Sequence, residues 1–100
     1  MKIVKAADIE ATTNEVCEHF ADSGAKLTVK LLDRTEVLIE GDANSLEFLA
    51  NYILAYVNGD EHARNINPKS AGSIFFNSDS TKGLYIHILP CRHGHEKDNL

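Results

Sequence analysis

The chain has 100 residues, of which 43% are hydrophobic and 25% are charged, and its formal net charge is -5 at pH 7. That length gives room for one modest core, and the composition is typical of a globular domain rather than a disordered chain. The acidic balance disfavours a general nucleic-acid binder. There is no signal-peptide pattern and no run of the ~20 apolar residues that a membrane span needs. Because the chain has only two cysteines, we expect it to be cytoplasmic. From its charge and its lack of a long apolar run, we expect it to bind neither nucleic acid nor membrane.

The acidic residues are unevenly distributed along the chain. Residues 1–59 carry five basic and ten acidic side chains, whereas residues 60–100 carry five of each and four of the five histidines. Such asymmetry is typical of an acidic surface that meets a basic partner, because complementary fields speed encounter. The alternative is a solvated surface that only keeps the chain soluble.

The first predicted elements are a short helix and a hairpin. Thr12 and Glu15 have the spacing of a capping box, and apolar residues follow at helical intervals, which predicts a helix over 12–22. Apolar and polar residues then alternate over 26–40 on both sides of a polar turn at 33–35, which predicts a β-hairpin.

A second, longer helix is predicted to begin at Asp42 or Asn44 and to end at Gly59. Its aliphatic residues repeat at helical spacing and are expected to pack against Val29, Val37 and Ile39 of the hairpin. That aliphatic stripe consists of Leu46, Leu49, Ala50, Ile53, Leu54 and Val57.

The last third of the chain is predicted as a loop over 60–72 and a second hairpin formed by 74–76 and 84–89. Residues 93–100 are expected to be a mobile polar tail. The prediction is therefore a single α+β domain over 1–92. It contains an antiparallel sheet of two hairpins, about four strands in all, with one long and one short helix on one face.

Candidate partner-binding residues are of two kinds. Carboxylates at the ends of predicted elements reach solvent, and aromatic residues spaced i, i+4 and i+8 form a row on the long helix. The candidates are Glu40, Asp42, Asp60, Glu61, Phe48, Tyr52 and Tyr56. The alternative for the aromatic row is burial beneath the first helix, against Phe20.

A cluster of histidines and one cysteine lies near the C-terminus. His87, Cys91, His93 and His95 form an H-x3-C-x-H-x-H pattern whose donors suit zinc or copper. The spacing matches no common zinc motif, so we expect no metal and no cofactor, with metal binding by this cluster as the alternative. A Cys91 nucleophile activated by one of these histidines or by His62 has no recognisable third group, and we expect no enzymatic activity.

Two segments carry a family resemblance. Residues 37–50, VLIEGDANSLEFLA, and residues 78–91, SDSTKGLYIHILPC, resemble a family of small immunity proteins that accompany the toxins of bacterial polymorphic toxin systems. The likeness spans roughly residues 27–91. It implies a non-enzymatic protein that neutralises a cognate toxin domain by direct binding, and it implies no particular residue roles. The acidic charge of the chain makes a basic toxin domain the expected partner. A homodimer that associates through an uncovered sheet face is a further alternative.

Overall fold

A computed structural model describes residues 1–92, so the tail predicted over 93–100 lies outside the described residues. The described chain forms two α-helices, four short strands and two 3₁₀ turns, at Ala6–Asp8 and Ser73–Phe75. The elements are α1 (Thr13–Phe20), β1 (Thr28–Leu31), β2 (Val37–Glu40), α2 (Ala43–Asn58), β3 (Ala63–Ile66) and β4 (Leu84–His87). The predicted α+β class is confirmed.

Both helices begin where their capping residues predict. At α1 the Thr12 side chain accepts a hydrogen bond from the Glu15 backbone, and the Glu15 carboxylate accepts one from the Thr12 backbone. At α2 the Asp42 carboxylate accepts hydrogen bonds from the backbone and hydroxyl groups of Ser45. Gly59 ends α2, as predicted. These side chains satisfy backbone N–H groups that have no partner within the helix.

The first predicted hairpin is also confirmed. β1 and β2 pair antiparallel, with Val29 opposite Ile39. The Asp33 carboxylate forms the turn by accepting hydrogen bonds from the backbone N–H groups of Thr35 and Glu36. These bonds, led by that from Thr35, hold the pKa of Asp33 below its usual value.

The second predicted hairpin is wrong in its first strand. β4 pairs antiparallel with β3, which lies inside the segment 60–72 that was predicted as a loop. The apolar run 74–76 instead lies largely in a 3₁₀ turn, and only Phe76 forms an isolated parallel bridge, with Leu27. The sequence of β3, Ala-Arg-Asn-Ile, has no apolar alternation and so gave no strand signal. Phe75 and Phe76 gave a strand signal because they are apolar, but they are buried in the core.

The two hairpins do not join into one sheet, contrary to the prediction. They form two separate two-stranded sheets. The loop after Phe76 occupies part of the free edge of β1: the buried Ser80 hydroxyl accepts a hydrogen bond from the Val29 backbone and donates one to the Leu27 carbonyl. The backbone groups of β1 are thus paired by a loop where a third strand was expected.

The face of α2 that meets the core differs from the prediction. The Phe48 ring stacks on Phe75, with centroids 4.1 Å apart, and the aromatic side of the helix turns inward. The buried residues of α2 are Ser45, Phe48, Leu49, Tyr52, Ala55 and Tyr56. Of the predicted stripe, Leu49 is buried but Leu46, Ile53 and Val57 are 42%, 37% and 38% exposed. Large rings bury more apolar area than aliphatic side chains, and both sides of this helix are apolar.

Candidate functional site

The start of α1 lies beside the end of α2, and two adjoining cavities open between and around them. One has a volume of about 300 Å³ and the other about 470 Å³, and both are lined by Glu10, Ala11 and Glu15. Together they are lined by five carboxylates: Asp8, Glu10, Glu15, Asp60 and Glu61. We call this region the acidic cleft.

Hydrogen bonds between distant parts of the chain hold the acidic cleft together. The buried Thr13 hydroxyl donates to the Glu61 carboxylate at 3.0 Å. The Asn58 side chain, in the last turn of α2, donates to the Ile9 carbonyl at 2.8 Å. The N-terminal segment is therefore fixed against the end of α2, and the cleft has a defined shape.

Glu61, Glu15 and Asp8 each have a structural partner within the protein. Glu61 forms an ion pair with Arg64 at 3.1 Å, Glu15 caps α1, and Asp8 accepts a hydrogen bond from the Lys5 backbone at 2.8 Å. Glu10 is exposed to solvent, as is Asp60. A partner can therefore reach these two carboxylates at the mouth of the cleft.

The electrostatic balance of the acidic cleft is negative. Among the described residues, no lysine or arginine lines either cavity. Two arginines come close and both bind protein groups: Arg64 contacts Glu61, and Arg92 donates to the carbonyls of Val57 and Gly59. Within residues 1–92, these two arginines stand against five carboxylates, and the negative excess favours an ammonium or guanidinium group through charge-assisted hydrogen bonds.

The four carboxylates predicted to bind a partner fall into two groups. Asp60 and Glu61 line the acidic cleft at the end of α2, whereas Glu40 and Asp42 lie at its beginning. A helix of 16 residues is about 24 Å long, so the two groups cannot contact the same side chain of a partner. Asp42 caps α2, and the hydrogen bonds from Ser45, first from its hydroxyl and then from its backbone, lower the pKa of the Asp42 carboxyl.

The aromatic row does not form a partner-binding surface, and that part of the prediction is wrong. Phe48, Tyr52 and Tyr56 are each 0% exposed. The alternative, burial beneath the first helix, is confirmed for Phe48, since Phe20 of α1 contacts its ring edge-on with centroids 5.6 Å apart. The hydroxyl of Tyr52 accepts a hydrogen bond from Arg64. Phe48 buries a wholly apolar ring, and Tyr52 and Tyr56 can be buried because their hydroxyls form hydrogen bonds.

The histidine and cysteine pattern is only partly brought together within the described residues. His87 and Cys91 lie close to each other, and His62, the residue before β3, lies beside them. His93 and His95 lie outside the described residues. The sequence pattern missed His62 because strand pairing, rather than proximity along the chain, places it there.

The acidic residues of the N-terminal segment were also missed. Asp8, Glu10 and Glu15 were not proposed as partner-binding residues, although Glu10 and Glu15 line the same cavity as Asp60 and all three line the adjoining one. The excess of carboxylates in the N-terminal half was the only available signal in the sequence. The packing of α1 on α2 places three of these carboxylates at the acidic cleft.

Comparison with family models, curated proteins and solved structures found no match for this chain. The immunity-protein resemblance therefore depends on the two segments quoted above. Within residues 1–92, no helix has both the length and the apolar character needed to cross a membrane.

Proposed function

We propose that this chain is a non-enzymatic interaction protein that binds a basic region of a protein partner at the acidic cleft. The single observation that supports the proposal best is the gathering of five carboxylates around two adjoining cavities that no lysine or arginine lines among the described residues. The partner class suggested by the resemblance is a bacterial toxin domain, which the chain would neutralise by covering a basic surface.

The acidic cleft suits this task physically. Its carboxylates come from three separate segments, and hydrogen bonds from Thr13 and Asn58 hold these segments in place before a partner arrives. A preorganised site loses little conformational freedom on binding. Exposed carboxylates such as Glu10 and Asp60 steer a basic partner and set its register.

Coexpression with the protein encoded by the reading frame beside this gene tests the proposal. If that neighbour is the toxin, cells that express it alone stop growing, and cells that also express this chain grow. The two proteins should copurify, and the charge-reversal variant Glu10→Lys/Asp60→Lys should lose both growth rescue and copurification.

A matched variant controls for the change in net charge. Glu36→Lys/Glu47→Lys alters the net charge equally, but both residues are exposed and lie outside the lining of the acidic cleft. This control should rescue growth as the unmodified chain does. A neighbour that is not toxic, or rescue that survives reversal of Glu10 and Asp60, would contradict the proposal.

A further inference from the structure

Three metal-binding side chains converge at the end of the second sheet. His62 directly precedes β3, His87 ends β4, and Cys91 follows four residues later. One ligand atom of each residue lies within 4.8 Å of those of the other two. The Cys91 Sγ is 3.2 Å from His62 Nδ1, and the two imidazole rings meet edge-on with centroids 4.7 Å apart.

The fold fixes the backbone on both sides of this cluster. Ala63 pairs with His87 in the β3–β4 register, which places the adjacent His62 beside His87. The buried Tyr56 hydroxyl donates to the His62 carbonyl at 2.8 Å and accepts from the Ile88 backbone at 2.9 Å. One phenol therefore ties together the two segments that carry the histidines.

The segment that carries Cys91 is anchored in the same way. Arg92, the next residue, donates hydrogen bonds to the carbonyls of Tyr56, Val57 and Gly59 at the end of α2, and its guanidinium lies over the Tyr56 ring. Cys91 is itself buried, whereas His87 is exposed. The contacts of Tyr56 and Arg92 thus fix the backbone that carries the cluster, and the cluster is open to solvent at His87.

The donor set and the spacing both match one class of ion. Two imidazoles and a thiolate suit zinc and similar borderline transition metals, and they do not suit magnesium or calcium, which prefer oxygen. In a tetrahedral zinc site, with Zn–S bonds of about 2.3 Å and Zn–N bonds of about 2.0–2.1 Å, the ligand atoms are about 3.4–3.6 Å apart. The ligand atoms lie within 4.8 Å of one another, so binding would draw the most widely spaced pair together by no more than about 1.4 Å.

We infer that His62, His87 and Cys91 form a binding site for one divalent transition-metal ion of the zinc class. The three residues suffice for binding, and water occupies the remaining position of the ion. The inference is independent of the acidic cleft, because none of the three residues lines either of its cavities.

Titration with Co²⁺, a spectroscopic substitute for Zn²⁺, tests the site directly. The chain is purified without a histidine tag, reduced and freed of metal, and then titrated with Co²⁺ while the absorption spectrum is recorded. We expect one Co²⁺ per chain, with a thiolate-to-metal charge-transfer band and visible bands of tetrahedral intensity. Zn²⁺ should displace the cobalt and abolish the bands, and Mg²⁺ should leave them unchanged.

Matched variants assign the ligands. Residues that hydrogen-bond to metal ligands typically contribute about 10–100-fold to metal affinity. Loss of a ligand itself should therefore lower the affinity for the metal by about 100-fold or more. We expect this loss in Cys91→Ser and His87→Gln, and the exposed position of His87 keeps the second variant folded. Cys17→Ser and His19→Gln are the controls, since both residues lie on α1, and their affinity should be unchanged.

Two results would overturn the inference. One is the absence of stoichiometric Co²⁺ binding, or binding that gives no thiolate band. The other is a loss in His93→Gln/His95→Gln as large as that in Cys91→Ser, because binding would then not be a property of the three residues identified above.

Discussion

The orientation of α2 can be tested by removing the same atoms from a buried and an exposed position of the helix. Leu46 and Leu49 belong to the same predicted stripe, but Leu49 is 8% exposed and Leu46 is 42% exposed. Leu49→Ala leaves a cavity in the core and should cost about 2–5 kcal/mol of the free energy of unfolding. Leu46→Ala removes a side chain that is about half covered and should cost about 1 kcal/mol, roughly half the value of full burial.

Urea unfolding followed by far-ultraviolet circular dichroism measures both values, since the chain contains no tryptophan. The dependence on urea should stay the same, so that the midpoints report stability alone. Phe48→Leu provides a second measurement on the buried side: it removes the ring that stacks on Phe75 and should cost about 1–3 kcal/mol. Equal losses for the two leucine variants, together with a negligible loss for Phe48→Leu, would refute the orientation described above.

Three further substitutions test single contacts. Tyr56→Phe removes the hydroxyl that bonds the partly buried His62 carbonyl and Ile88 backbone N–H, and it should cost about 1–3 kcal/mol in urea unfolding. Tyr85→Phe, at a side chain that is 70% exposed, should change stability by less than about 0.5 kcal/mol. Ser80→Ala removes the two hydrogen bonds to the edge of β1 and should also cost about 1–3 kcal/mol; an unchanged midpoint would show that this loop does not stabilise the strand. Asp42 has a lowered pKa in the folded chain, so its contribution is present at neutral pH and is lost as the pH falls through that lowered value. The thermal midpoint of Asp42→Ala should therefore lie below that of the unmodified chain at pH 7 and approach it in acid, and a constant difference would contradict this.

Local signals predicted the elements that depend on neighbouring residues. The capping pairs at Thr12 and Asp42 and the turn at Asp33 act over two or three residues, and the structure has α1, α2 and the first hairpin where these signals place them. Such contacts form within one segment of chain, and a single sequence therefore contains all the information they need.

The features that depend on tertiary packing could not be predicted in the same way. The polar strand β3 is a strand because it pairs with β4. The apolar residues Phe75 and Phe76 pack in the core, where the sequence pattern predicted a strand. The helical spacing predicted α2 correctly. Because this helix is apolar on two sides, however, choosing the buried side required knowledge of what packs on it.

The candidate sites show the same division. Asp60 and Glu61 were predicted from their position at the end of a helix, but Glu10 and Glu15 join them only because α1 packs beside that end. Similarly, the H-x3-C pattern identified His87 and Cys91, whereas His62 enters through the register of β3 and β4.

The association rate with the neighbouring gene product tests the central claim, binding at the acidic cleft, most directly. Surface plasmon resonance at low and high salt should compare the unmodified chain, Glu10→Lys/Asp60→Lys and the control Glu36→Lys/Glu47→Lys. Glu61 is left unchanged because its ion pair with Arg64 supports the fold. Raising the salt should slow association of the unmodified chain, and reversal of Glu10 and Asp60 should slow it several-fold more than the control does. Association that is insensitive to both salt and reversal of these two charges would contradict the claim.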